Sequence, residues 1–252
     1  MIVSSNAKKP KIHSSSYVAP GATVAGDVTI GSGCAVLHGA VIVSEGAPVT
    51  IGADTVVMEN AVLKASGGSA LQFPLKVGDR CIIGPHAYVV GADIGNGCFV
   101  ASGAKVFNGA TLGDGSGVAL GAIVHVNARV ERDASVPMQH VAVGDPATIY
   151  PPDRAPEAAA LVGFYQTVFN LEPGDGVRAR AAQTYSKFLR KVHARDAALG
   201  EHRAAAPAPR RSADEPPPTQ ATAVDKVVDV MMLELEEMEH RRQEAIKRQK
   251  ER

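Results

Sequence analysis

The sequence predicts a parallel β-helix built from six-residue repeats and followed by α-helices. Three observations predict it. Residues 77–136 divide into blocks of six, one of them a residue short, and every block opens on Val, Ile or Leu. In the complete blocks the fifth residue is small: Cys81, Ala87, Cys98, Ala104, Ala110, Ser116, Ala122, Ala128 and Ala134. Aromatic residues make up 4% of the chain and Trp is absent, which a core of Val, Ile and Ala explains. An α-helix would repeat its apolar face every 3.6 residues. A period of six suits short strands joined by tight turns, each strand turning one large and one small side chain inward. The small residue belongs where the chain rounds a corner. Three blocks then close a triangular coil, and coils stack at the spacing of paired strands, roughly 4.8 Å.

The elements follow in order. Residues 1–11 read as a short polar lead-in, and residues 12–152 as the β-helix domain. Its earlier blocks open on Ile12, Val18, Val24, Ile30, Val36 and Ile42, then Ile51, Val57 and Leu63. Two stretches break the register. Residues 43–50 are slightly longer than a turn requires, and residues 64–76 read as a protruding loop, a usual place for function on a rigid solenoid. Residues 137–152 read as a closing segment in which Pro146, Pro151 and Pro152 forbid a helix. Residues 153–199 form a helical extension. One helix starts near Pro156 with Leu161, Phe164, Tyr165 and Val168 on one face. The stretch LEPGDG ends it. A second spans residues 177–199 with the stripe Tyr185, Phe188, Leu189 and Val192 and a basic face of Arg178, Arg180, Lys187, Arg190, Lys191 and Arg195. That charge reads as a solvated face. Residues 200–222, rich in Ala and Pro, read as a disordered linker. Residues 223–252 read as a terminal helix with Val228, Met231, Leu235, Met238 and Ala245 along one seam. It is either an oligomerising coil or a helix docked elsewhere.

Composition narrows the function. The 252 residues carry 26 basic and 26 acidic side chains, so net charge gives no reason to expect nucleic acid or a membrane surface. No apolar run approaches the roughly 18 residues of a membrane span, and no basic segment leads an N-terminal apolar run. Cys34, Cys81 and Cys98 all fall in the small inward slot. They read as buried packing residues, and three unpaired thiols fit a reducing cytoplasm.

The run IHSSSYVAPGATVAGDVTIGSGCAVLHGAVI, then PVTIGADTVVMENAVLK, resembles γ-class carbonic anhydrases and their isoleucine-patch relatives. So do VGDRCIIGPHAYVVGADIGNGCFVASGAKVFNGATLGDGSGVALGAIV and VAVGDPA. The likeness covers residues 12–147. It implies a left-handed β-helix, against the usual right-handed crossover, a homotrimer, and metal sites between neighbouring subunits. That family's zinc chemistry requires three neutral imidazoles and an open fourth position on the metal. The resemblance places the first imidazole at Lys64, in MENAVLK, and the other two at Pro85 and Val90, in GPHAYVVG. The family's Arg-Gly-Asp stretch falls on Val43, Ser44 and Glu45, and its Gln-Asp pair on Met58 and Glu59. Lysine, proline and valine do not assemble such a site, so neither zinc nor any other metal is expected there.

The leading expectation is a β-helical homotrimer that has lost the family's zinc ligands and serves as a non-catalytic scaffold or binding protein. Its candidate groove consists of Glu45, Glu59, Lys64 and His86. His86, His125 and Glu59 are the side chains to watch for chemistry. His125 shares a column with Val90 and Phe107, two coils and about 10 Å from Val90 along the axis. An alternative is a hexapeptide acyltransferase in which His38, His86 or His125 acts as general base on a coenzyme A substrate. Another is a carbonic anhydrase with a relocated metal. In a third reading the C-terminal helices recruit a protein partner.

Overall fold

The computed structural model describes residues 1–67 and 71–193. The expected linker, the terminal helix, Arg195 and the tip of the 64–76 interruption lie outside the described residues.

Each block becomes a short strand and a turn, and three blocks make one coil. Among the described residues, stacked coils lay equivalent strands side by side in three sheets, one of ten strands and two of seven, all parallel except Gln72–Phe73 and Thr148–Tyr150 in the ten-stranded one. The register keeps every opener in a column. Ile42 lies beside Leu63, Leu63 beside Val89, Val89 beside Val106, and Val106 beside Val124. All five are fully buried, as are the corner residues Ala40, Ala61, Ala87, Ala104 and Ala122. The core is therefore a continuous rod of branched aliphatic side chains with an alanine edge. Ile12 and Val18, in the first full coil, are only partly buried. The three thiols are free and buried, as expected. Each reaches a turn carbonyl of the next coil: Cys34 Sγ to Gly52 O at 2.9 Å, Cys81 Sγ to Gly95 O at 3.1 Å, and Cys98 Sγ to Gly113 O at 3.2 Å.

Three local features differ from the sequence reading. Ile2–Val3 is a strand that pairs in parallel with Thr23–Ala25, so the first sheet begins inside the stretch read as a lead-in. Two residues are too few to show a period. Residues 64–76 do not form a loop alone. The strand Val62–Gly67 continues the sheet and folds back as Gln72–Phe73 in an antiparallel hairpin, and Leu75–Val77 re-enters the solenoid. Strand alternation explains this: Leu63 and Ala65 are buried, while Lys64 and Ser66 point outward and are half-buried.

The third difference lies past the solenoid. The closing segment forms a hairpin, Val141–Val143 against Thr148–Tyr150, with no helix before Pro152. The single helix expected after it is broken into α1, Ala155–Ala160, and α2, Phe164–Phe169. Gly163 sits at the break, and Leu161 is 65% exposed instead of sharing a face with Phe164. Helix α3 spans Val177–Val192. Its Tyr185, Phe188, Leu189 and Val192 are half-buried, and Arg178, Arg180, Lys187, Arg190 and Lys191 are exposed, as the sequence reading has it.

Candidate functional site

Strand Val62–Gly67 sets the site. Its alternation sends Leu63 into the core and Lys64 outward, in register with Val43 on one side and Val90 on the other. The Gly91 N–H donates to the Lys64 carbonyl at 2.8 Å and fixes this rung. Phe107 and His125 continue the column, their rings 5.7 Å apart. Gly91 has φ +53°, and a Cβ there would meet Phe73 of the hairpin. Gly46, at φ +80°, lies under the Gly67 carbonyl and 3.3 Å from Phe188 when a Cβ is added. Both positions need glycine for conformation and space together. They draw the two register breaks and α3 onto one face.

Helix α3 closes over Lys64 through Tyr185. Lys64 Nζ lies 2.7 Å from Glu45 Oε2 and donates to Tyr185 Oη at 2.8 Å. The Tyr185 hydroxyl donates to Glu45 Oε1 at 2.7 Å. Glu45 is buried, and Lys64 and Tyr185 are half-buried. Burial opposes the charge on Lys64, but its bonds to Glu45 and Tyr185 outweigh it and hold the amine above the ordinary lysine range. Burial also raises the Tyr185 phenol, and Glu45 adds to that against the pull of Lys64.

Both groups have a folded pKa above the unfolded value. Their contribution is therefore complete below the ordinary tyrosine and lysine pKa values, about 10 to 10.4, and is lost as pH rises through the folded ones. Tyr185→Phe is expected to cost about 2 kcal/mol at pH 7, the scale of a hydrogen bond to a charged group. Urea unfolding of the two proteins from pH 7 to 11 checks this. The gap between them is constant to pH 9 and narrows above pH 10.

The other predicted side chains sit elsewhere. His86 is exposed on a turn at φ +57°. It meets Glu59 through the backbone, His86 N–H to Glu59 O at 3.0 Å. His38 is likewise exposed. His125 is half-buried between Phe107 and Phe164, at 5.7 and 6.4 Å between ring centres. Its Nδ1 accepts the Val126 N–H at 2.8 Å, and burial lowers its pKa. With Nδ1 taken by that N–H, a neutral ring carries its proton on Nε2. The structure joins Glu45 to Lys64 and leaves Glu59 and His86 outside that cluster. Among the described residues, no group of three or more His, Cys, Asp or Glu is placed to hold a metal ion.

Beside the cluster lies a cavity of about 380 Å³ between the solenoid, the hairpin and helices α2 and α3. Lys64, Val90, Phe107 and Asn108 form its floor, Phe73 one wall, and Phe164, Phe169, Tyr185 and Phe188 the roof. Asn108 Nδ2 donates to Ser66 Oγ at 2.5 Å. Ring contacts run without a break from Tyr88 through Phe107, His125, Phe164 and Phe169 to Tyr185 and Phe188. The sequence reading assigned Phe164, Tyr185 and Phe188 to helix faces and missed the cavity. The signal open to it was the scarcity of aromatics and their concentration in residues 73–107 and 164–188.

No protein-family model matches the chain. Its homologues include "Gamma carbonic anhydrase 1, mitochondrial" of Arabidopsis thaliana, 28% identical over 192 residues, which are 74% of this chain and 68% of that protein. "Gamma carbonic anhydrase 2, mitochondrial" of the same plant is 29% identical over 142 residues, 56% of this chain and about half (49%) of that protein. Among solved structures, a hexapeptide transferase family protein from Anaplasma phagocytophilum superposes with a TM-score of 0.50 at 17% identity, covering 77% of this chain and 97% of that one. That likeness shows the fold, a left-handed hexapeptide-repeat β-helix. Among the described residues no helix is long and apolar enough to cross a membrane.

Proposed function

We propose that this γ-carbonic-anhydrase-like β-helix protein is a homotrimeric binding scaffold without zinc chemistry. The Lys64–Glu45–Tyr185 cluster carries that reading. It stands where the family resemblance puts the first imidazole, and it stabilises a protonated amine, which has no lone pair for a metal. Pro85 offers no side-chain donor, and Val90, buried beside Lys64, offers hydrocarbon. Zinc takes thiolate, imidazole or carboxylate ligands, so it does not fit these residues. His86 and His125 do not rebuild the site. His86 meets Glu59 through its backbone N–H to Glu59 O, and His125 spends its Nδ1 on the backbone. The same bond weighs against His125 as a general base for acyl transfer.

The outer faces support the trimer. One seven-stranded sheet presents the column Tyr17, Ala35, Val56, Ile82 and Phe99, with Ile82 41% and Phe99 50% exposed. The other presents Lys11, Thr50, Lys76, Asp93 and Arg129 on its equivalent column. Of these two sheets, the first has the apolar continuity of a subunit contact.

Stopped-flow CO₂ hydration by the full chain, with zinc added, tests the reading. The rate stays at the uncatalysed background, and millimolar acetyl-coenzyme A leaves the melting temperature unchanged. A zinc-dependent rate above background contradicts the scaffold reading, and stabilisation by acetyl-coenzyme A favours an acyltransferase instead.

A further inference from the structure

We infer that the cavity under α2 and α3 binds a small uncharged aromatic molecule carrying one carbonyl or hydroxyl oxygen. The inference rests on the scaffold reading, because it places an organic ligand where a metal would otherwise sit.

Volume is the first argument. The cleft holds about 380 Å³. Small-molecule pockets begin at about 300 Å³. The second is composition. The chain has six Phe, five Tyr and no Trp. Five of the six Phe line this one cavity: Phe73, Phe107, Phe164, Phe169 and Phe188. Tyr88 and Tyr185 join them, so seven of eleven aromatic rings face one space. The described neighbours meet mostly edge to face, at 5.8–6.2 Å for Phe169–Tyr185, Phe164–Phe169 and Tyr88–Phe107. Such walls favour a further planar ring in offset or edge contact.

Charge supplies the third argument. Among the described lining residues Lys64 is the one charged side chain, and Glu45 already matches it at 2.7 Å. A guest carboxylate would enter an apolar space with no unmatched cation to receive it, at a large desolvation cost. A neutral oxygen avoids that cost. An ammonium has three N–H donors. Two of those on Lys64 serve Glu45 and Tyr185, which leaves one for a carbonyl or hydroxyl acceptor.

The probe is 6-propionyl-2-dimethylaminonaphthalene, an uncharged aromatic ketone whose emission shifts to the blue in apolar surroundings, titrated into the full chain. We expect saturable binding at one site per chain. Val168→Trp fills the cavity from α2, and Val90→Phe fills it from the floor. Each variant, checked for native circular dichroism, weakens binding ~10-fold or more, about 1.4 kcal/mol. Leu120→Ser removes an exposed apolar side chain outside the cavity and leaves binding unchanged. In competition, 2-acetonaphthone displaces the probe at about one tenth of the concentration that 2-naphthoate needs.

Probe binding that ignores both filling variants overturns the inference, as does binding lost in Leu120→Ser or equal displacement by the two competitors. Zinc in the protein would sink the scaffold reading whatever the probe does. A zinc-free protein without cavity-dependent probe binding sinks this inference alone.

Discussion

Lys64→Met is expected to lower the stability of the protein by about 3 kcal/mol at pH 7, the scale of breaking a buried ion pair from one side. Glu45 lies 2.7 Å from the amine with 7% of its side chain exposed, against 21% for Lys64. Methionine keeps the length of the stem and removes the charge, so Glu45 remains a buried carboxylate held by the Tyr185 hydroxyl alone. The double variant Lys64→Met/Glu45→Leu removes both charges and regains most of the loss, because apolar replacement of a whole buried pair is close to neutral. Urea unfolding measures all three proteins. A single-variant loss under 0.5 kcal/mol, or a double variant no better than the single, would show that the pair is solvated and that α3 is held by its apolar stripe alone.

Ile82→Glu is expected to convert the proposed trimer to monomer without unfolding the solenoid. Ile82 lies beside Val56 and Phe99 on the outward column of one sheet, and its inward neighbour Ile83 stays in the core. A carboxylate there leaves the fold of each chain intact and places three charges against apolar partners. Light scattering coupled to gel filtration reads a threefold fall in mass. Lys76→Glu, on the polar sheet, keeps the trimer mass. A trimer that survives Ile82→Glu moves the subunit contact to another face.

The solenoid was legible in the sequence because its period forces one large and one small residue inward in every block. Leu63, Val89, Val106 and Val124 therefore stand where the blocks place them. The hairpin escaped because residues 64–76 keep a two-residue alternation on one arm only. The broken helix escaped because Leu161 suits a helical stripe, and only the turn around Gly163 takes it off that face. At the site, Glu45 and Lys64 were found through the family positions they occupy. Tyr185, which ties them together, was read as a helix-face residue 121 positions beyond Lys64. The cavity was hidden for the same reason. Its rings come from the hairpin, two coils of the solenoid and two helices, and only tertiary contact makes them neighbours.

The metal content of the full chain, purified without chelators and dialysed after zinc loading, tests the central claim most directly. Plasma mass spectrometry is expected to find well under one zinc per trimer, because a protonated lysine, a proline and a valine supply no ligand. One zinc per chain, lost on replacing His86 or His125, would contradict the account.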